Sequence, residues 1–365
     1  EQTFAKITGK PDDDSKLTFV VNGLWQHNTQ DPLGLKWSTY QSNPRAAESV
    51  ATTYDTRKSI EHLQGGVAYE RRFGADLLQL SAYTGQRSVT QYQAIPPGTP
   101  SVITKSSGGV VDFDRNFYGF GARWIAIGQA LGGKLTTTFG ADYDLSKDDR
   151  SGYDNRNGVK STLRRKEVDT VEGTGTYVQS EWQRGDWSLT GGLRYSTVKF
   201  SVSDEYLLNG NDGGGRDYSK TTPIVGLVYK LTPAINLYAS AARGFETPTL
   251  NEMFYTTPTS GFNFGLNASK SRHYEAGVKA FVGNSSRLNV AVFQVDTEDE
   301  LVVSASSGGR TSYRNAGKTL RQGIEAAFDT AWQRNLTSRF AVSHLRAIYD
   351  EALSSSIPAG KNLPG

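Results

Sequence analysis

The sequence predicts an all-β protein, an antiparallel transmembrane β-barrel, on three observations. Apolar and polar residues alternate with period two in one segment after another, as a strand between lipid and water requires. Short turns and long loops alternate along the whole chain, unlike the loops of a soluble β-sandwich. The composition has 39 Gly, 18 Tyr, 16 Phe and 6 Trp but only 36% hydrophobic residues, and no run approaches the ~18–20 apolar residues of a membrane helix.

The first four predicted strands form two hairpins. Their bounds are residues 3–8, 16–26, 59–72 and 76–91. Residues 11–15 and 73–75 are compact turns, rich in residue types that favour tight bends. The polar segment 28–56 is far longer than the ~2–5 residues of a hairpin turn. We therefore predict a long external loop there, and a second one over residues 94–111.

The next four strands repeat this arrangement. Their bounds are residues 117–127, 134–145, 174–183 and 187–201. Residues 147–168 are highly charged and are predicted to form an external loop. Trp187, Leu189 and Leu193 share one face of the last strand, and Arg194 lies on the other. An arginine on the lipid side costs ~2–4 kcal/mol at the membrane midplane, so we place Arg194 in the lumen.

The remaining strands bring the total to about fourteen. They comprise a hairpin over residues 222–242 and the strands 274–281, 287–298, 311–332 and 337–349. Most strands reach or exceed the ~9–11 residues that membrane crossing demands. Several aromatic residues lie near strand ends, where membrane barrels carry their interfacial girdles.

Charge and residue inventory argue against several function classes. The formal net charge of +3, from 40 basic and 37 acidic residues, is too balanced for a general nucleic-acid binder. The sequence has no cysteine for thiol chemistry or zinc, and its four histidines lack paired zinc spacing. No Gly-x-Ser-x-Gly elbow occurs. The acidic run 296–300 is interpreted as a solvated strand end rather than a cation site. We expect no enzyme, no cofactor and no metal site.

Two segments resemble the barrel of TonB-dependent outer-membrane transporters. One is 243–255, Arg-Gly-Phe-Glu-Thr-Pro-Thr-Leu-Asn-Glu-Met-Phe-Tyr, and the other is the pattern from residue 293 to 325. The resemblance implies a barrel of about 22 strands around a plug, with a plug segment, the TonB box, that engages TonB. Residues 1–365 would then be a partial barrel domain without the plug and without the first and last strands. Such a piece is not expected to fold alone.

Within this family the chain looks most similar to importers of pyrroloquinoline quinone. The stretches that carry this similarity are residues 31–35, 54–59, 64–71, 90–96 and 306–311. The similarity implies TonB-dependent import of a small anionic ligand through the bacterial outer membrane, with membrane lipid around the barrel. A ferric siderophore receptor of the same family is the main alternative. A passive porin and a secreted β-enzyme are the candidates from other classes.

Pyrroloquinoline quinone is a flat tricarboxylate, so its receptor should offer cations and aromatic faces. We expect such residues where strands meet external loops, although charges at a barrel rim also serve only to steer ligands or to bind neighbouring strands. No residue is predicted to be catalytic or to ligate a metal. The predicted ligand-binding residues are Arg57, Lys58, Tyr92, Gln93, Arg243, Phe245, Tyr255, Arg310, Tyr313 and Arg314.

Overall fold

Fourteen antiparallel strands form one continuous sheet, as the sequence predicted. The computed structural model describes residues 1–97, 107–254, 261–307, 310–333 and 335–363. The strands of the sheet are β1 (Gln2–Gly9), β2 (Ser15–Gln30), β3 (Arg57–Phe73), β4 (Asp76–Tyr92), β5 (Val110–Ala130), β6 (Gly133–Arg156), β7 (Val159–Arg184), β8 (Trp187–Asp204), β9 (Gly214–Thr232), β10 (Ile235–Glu246), β11 (Ser269–Val282), β12 (Ser286–Glu298), β15 (Lys318–Gln333) and β16 (Leu336–Tyr349).

Each strand pairs with its neighbour in sequence, except that β12 pairs with β15. The intervening chain forms a separate hairpin of β13 (Leu301–Ser307) and β14 (Arg310–Asn315). β1 and β16 are the edge strands of this sheet. Among the described residues β1 pairs with β2, and β16 pairs with β15 and makes one further bridge, from Ile348 to Asn362.

Short helices occupy the long loops. In the 28–56 segment, β2 runs on to Gln30, and two helices follow, α1 (Trp37–Ser42) and α2 (Ser49–Thr53). A third helix, α3 (Leu250–Phe254), follows β10. None of the helices in the described ranges is long and apolar enough to span a membrane.

Alternation gives the sheet two different faces. One face carries exposed apolar side chains such as Phe120 and Leu193, which is the surface that a lipid-facing wall needs. The other face carries polar pairs. There Arg194 donates two hydrogen bonds to Asp142, at 3.0 and 2.7 Å. Arg194 therefore lies on the polar inner face, as the cost of a lipid-facing arginine predicted.

The prediction of a charged loop over residues 147–168 is wrong. Strands β6 and β7 continue through it and meet in a tight turn at Asn157 and Gly158, whose φ angles are +52° and +83°. Two consecutive positive φ angles define a type I′ hairpin turn, which favours Asn-Gly. The charges are therefore carried by a strand pair that projects beyond the membrane span.

Two strand bounds also differ from prediction. The single predicted strand 311–332 is two strands, because the chain breaks at Ala316 and Gly317 between β14 and β15. Strand β10 was predicted to end at Ala242 but keeps an unbroken register with β11 to Glu246. The unbroken register therefore determines which face of the sheet each residue of β10 lies on, up to Glu246.

We expect Gly158→Ala to destabilise the β6–β7 turn. Its φ of +83° disfavours an L side chain, and an added Cβ would lie 2.7 Å from the Cβ of Asp55. A cost of about 1–2 kcal/mol corresponds to roughly 5- to 30-fold faster hydrogen exchange of the turn amides. Gly128→Ala is the matched control, because an added Cβ there meets no atom within 4 Å. Equal exchange in both variants would contradict this account of the turn.

Candidate functional site

A cavity of about 710 Å³ opens at the external end of the inner face. Strands β3 to β6 form its wall, and the N-terminal end of α3 and strand β14 complete it. Five of its lining residues are basic and one is acidic. The lining residues are Lys58, Arg87, Val89, Gln91, Gln93, Val111, Phe113, Arg115, Arg150, Thr249, Asn251, Glu252, Arg310, Thr311 and Tyr313.

Strand register brings the basic residues together. Arg87 of β4 lies directly opposite Arg115 of β5, and Arg115 lies opposite Asp148 of β6. One step outward, Arg150 lies opposite Phe113. Since the strands are antiparallel and unbroken here, these side chains share the inner face. The wall of the cavity is therefore a ladder of cations several strands wide.

The ladder is only partly neutralised. Arg115 makes a bidentate pair with the buried Asp148, with N to O distances of 2.7 and 2.6 Å. Arg87 and Lys58 make no ion pair with any residue in the described ranges. Two like charges directly opposite each other destabilise a sheet, so Arg87 beside Arg115 favours an anion in the cavity.

Helix α3 presents its own acidic residue in a closed arrangement. The Thr249 hydroxyl and backbone N–H donate to Glu252, at 2.9 and 2.7 Å, and the Glu252 N–H donates to the Thr249 hydroxyl at 3.3 Å. This is a capping box. The carboxylate of Glu252 is therefore held by the helix terminus, and in the described ranges it makes no ion pair with Lys58, Arg87 or Arg115.

Hairpin β13–β14 crosses the mouth of the cavity. Arg310 near its tip donates to the Gln93 side chain at 3.0 Å and to the carbonyl of Gly108 at 2.5 Å. At the base of the hairpin, the amide of Asn315 donates to the carbonyls of Asn267 and Asp299, at 2.9 and 2.7 Å. The hairpin thus joins two external loops that are distant in sequence.

Four of the ten residues predicted to bind ligand line this cavity: Lys58, Gln93, Arg310 and Tyr313. Two more lie beside it. Arg57 stacks on Tyr92, with the guanidinium carbon 3.7 Å from the ring centroid, and it also pairs with Asp55 at 2.5 Å. The Arg57 guanidinium therefore already has partners within the protein, the ring of Tyr92 and the carboxylate of Asp55.

The other four predicted residues do not line the cavity. Arg243 has the same strand parity as Leu237, so it lies on the outer face, opposite Arg272. Phe245 packs against a buried cluster that includes Phe200 and Met253. The buried Nε of Arg314 has no partner among the described residues. Tyr255 lies outside the described residues.

Sequence reasoning missed Arg87, Arg115, Arg150 and Phe113, which line the cavity. They lie inside or beside strands, whereas candidates were sought only where strands enter loops. The signal was available for Arg87, which lies in the predicted strand 76–91. The argument that placed Arg194 in the lumen, that an arginine facing lipid is costly, applies equally to it. Arg115 and Arg150 lay outside the predicted strands, so only the observed extent of β5 and β6 places them on the inner face.

The described residues contain no group of three or more His, Asp or Glu side chains placed to hold a metal ion. The cavity offers guanidinium and ammonium donors, two aromatic rings and amide groups. This combination suits a small polyanion.

A family model described as TonB dependent receptor-like, beta-barrel, matches residues 5–365. The ferric citrate transporter FecA has a TM-score of 0.74 at 15% identity over 95% of this chain and 51% of that chain. The ferric-catecholate import receptor Fiu of E. coli K12 has a TM-score of 0.71 at 15% identity, over 98% of this chain and 60% of that chain. The copper transporter OprC has a TM-score of 0.67 at 14% identity, over 100% of this chain and 54% of that chain. The chain spans about half the length of these proteins, and the similarity concerns the fold.

The base of the β13–β14 hairpin is expected to loosen at low pH. Glu300, between β12 and β13, accepts hydrogen bonds from Arg321 at 2.8 and 2.5 Å and from the Thr319 hydroxyl. Burial raises the pKa of Glu300, but these hydrogen bonds outweigh burial and hold the pKa below its ordinary value. A lowered pKa contributes stability above the unfolded value, and that stability is lost as the pH falls through the folded value.

We therefore expect proteolysis of the hairpin to accelerate between about pH 5 and pH 3. Glu300→Gln should remove this pH step, because the amide does not titrate. Glu205→Gln is a control, since Glu205 forms an exposed pair with Lys166 on another external segment. A step of the same size in Glu300→Gln would assign the pH dependence to another group.

Proposed function

Because the chain belongs to the TonB-dependent receptor-like β-barrel family, we propose that it takes part in TonB-dependent import of a small anionic ligand across the bacterial outer membrane. Pyrroloquinoline quinone is the first candidate cargo. In this proposal the ligand binds in the external cavity, and TonB acts through a plug segment of the receptor to release the ligand inward. The barrel places the cavity on the side of the long loops, where extracellular ligand arrives.

The cationic ladder is the observation that carries the proposal. Lys58, Arg87, Arg115, Arg150 and Arg310 face one cavity, while its one acidic residue is held in a capping box. Charge-assisted hydrogen bonds from guanidinium to carboxylate are among the strongest polar contacts in proteins. A ligand with two or three carboxylates could replace the missing partners of Arg87 and Lys58.

Size and shape agree with a small aromatic polyacid. A cavity volume of about 710 Å³ falls in the range of ligand pockets, about 300–1,000 Å³. Phe113 and Tyr313 line it and can offer ring faces to a flat ligand. The stretches of sequence similar to quinone importers include residues 54–59 and 90–96, which adjoin this wall.

A ferric siderophore complex is the second candidate, favoured by the cargo of proteins with the same fold. Proteins with a similar fold include a ferric citrate transporter and a ferric-catecholate receptor. Such cargo arrives with its iron already chelated, so the receptor needs charge complementarity rather than metal ligands. Iron complexes of citrate and of catecholates are anionic, as pyrroloquinoline quinone is, and therefore a binding comparison is needed to separate the two candidates.

We expect the full-length receptor in detergent to bind pyrroloquinoline quinone tightly by titration calorimetry, and Arg87→Ala to weaken binding. Loss of one charge-assisted hydrogen bond costs about 1.5–3 kcal/mol, or roughly 10- to 150-fold in Kd. Arg72→Ala is the matched control, because Arg72 is an exposed arginine at the opposite, periplasmic end of β3.

A panel of ferric siderophores is titrated beside the quinone. Binding of an iron complex alone, weakened in Arg87→Ala, would keep the cavity and replace the cargo. Equal affinity of Arg87→Ala and the parent receptor for every bound ligand would remove this cavity as the binding site.

A further inference from the structure

A second groove lies on the outer, membrane-facing wall of the sheet. Its volume is about 390 Å³, and it is formed by strands β9, β10 and β11. The outward-facing residues that line it are Pro223, Val225, Ala241, Arg243, Arg272 and Tyr274. It is separate from the external cavity, because the sheet itself lies between them.

Register establishes that these side chains face outward. Val225 lies opposite Ala241, and Ala241 lies opposite Tyr274. Val225 and Tyr274 are each 49% exposed, on the same face as the apolar wall that includes Leu227 and Leu237. The lower part of the groove is therefore an apolar channel with an aromatic ring at its side.

Two arginines close the upper part of the groove. Arg243 and Arg272 are direct cross-strand neighbours on the outer face. Arg272 makes one contact of 3.3 Å with Glu298, and both side chains of that pair are about half exposed. Arg243 is exposed and makes no ion pair with any residue in the described ranges. Asp296, opposite Arg272, is held at 3.1 Å by the amide of Gln294.

The arginines lie near the outer edge of the apolar band of the membrane. Arg243 lies eight residues beyond Ile235, the first residue of β10 after the periplasmic turn. Eight residues at about 3.3 Å span about 26 Å along the strand, or about 20 Å along the membrane normal at a tilt of about 40°. The apolar band of a membrane barrel is about 25 Å tall. With Ile235 at its inner edge, the Arg243 backbone lies about 5 Å inside the outer edge, a distance that an arginine side chain can span to reach the headgroups.

Aromatic residues agree with this placement. Trp187 and Tyr229 pack at a centroid distance of 4.4 Å near the periplasmic turns, while Tyr195 and Tyr274 are exposed on the outer wall farther up. Membrane barrels carry aromatic girdles at both interfaces. Arg272 lies two residues outward of Tyr274 along β11, so the arginine side chains can extend from the aromatic level toward the lipid headgroups.

We propose that this groove binds a phosphorylated lipid of the outer leaflet. The phosphate is held between Arg243 and Arg272, and an acyl chain lies in the channel formed by Pro223, Val225, Ala241 and Tyr274. An anion between the two guanidinium groups relieves the repulsion that like charges directly opposite each other otherwise cause. The site assigns to Arg243 a role in anchoring lipid rather than in binding cargo.

The test uses the full-length receptor in nanodiscs of phosphatidylcholine that contain a small fraction of diphosphorylated lipid A as the probe. Native mass spectrometry then counts the lipid A molecules that remain bound. The parent receptor is expected to retain one molecule. In the Arg243→Ala and Arg272→Ala double variant, the fraction of receptor that retains lipid A is expected to fall about tenfold. Arg243→Lys should keep part of the binding, because the charge remains.

Lys10→Ala combined with Arg72→Ala removes two cations at the periplasmic end and should leave lipid retention unchanged. A gel shift between folded and boiled barrel checks that each variant is assembled. Equal retention in the Arg243 and Arg272 double variant, or equal retention of lipid A without phosphates, would overturn the proposal. Inorganic phosphate that binds as tightly as lipid A would also overturn it, since the acyl chain in the groove would then contribute nothing.

Cargo binding by Arg243→Ala separates the two roles of this arginine. The lipid site predicts unchanged affinity for pyrroloquinoline quinone and for ferric siderophores in titration calorimetry. Loss of cargo affinity with lipid retention intact would contradict the assignment and return Arg243 to the mouth of the barrel.

Discussion

The need to satisfy every backbone hydrogen bond in a hydrocarbon layer is the constraint on which this structure depends. Lipid offers no partner to an exposed N–H or C=O group, so each strand must pair along its membrane length. The backbone hydrogen bonds between neighbouring strands are continuous from β1 to β12 and on to β15 and β16. Irregular chain is confined to the ends of strands, where the helices and the β13–β14 hairpin lie.

Once the strand pairing is set, period-two alternation directs polar side chains to the inner face of the sheet and apolar side chains to the outer face. Arg87 and Arg243 are both arginines in strands, yet they belong to different sites because one faces the inner cavity and the other the membrane surface. The same wall therefore presents arginines on both of its faces, at separate places. A shift of register by one residue would exchange these faces, so the unbroken pairing of β10 with β11 determines function as well as fold.

The external part of the molecule is held by side chains that come from distant parts of the sequence. Arg310 reaches Gln93 and Gly108, and Arg165 lies 3.4 Å from the ring centroid of Phe254, which joins the β6–β7 extension to helix α3. Because loops need not follow a lipid boundary, they can carry charged and aromatic residues freely. This freedom makes the loops suitable for selecting a ligand.

The amino-acid sequence by itself determined the fold class, the fourteen-stranded sheet and the side of Arg194, since these follow from alternation and from the cost of charge in lipid. It also contained the turn at Asn157 and Gly158, although the surrounding charges obscured it. Only the tertiary structure decided which cations share a cavity. Arg115 approaches Arg87 through strand register and Arg310 approaches Gln93 through loop packing, and both depend on contacts between residues that no local pattern relates.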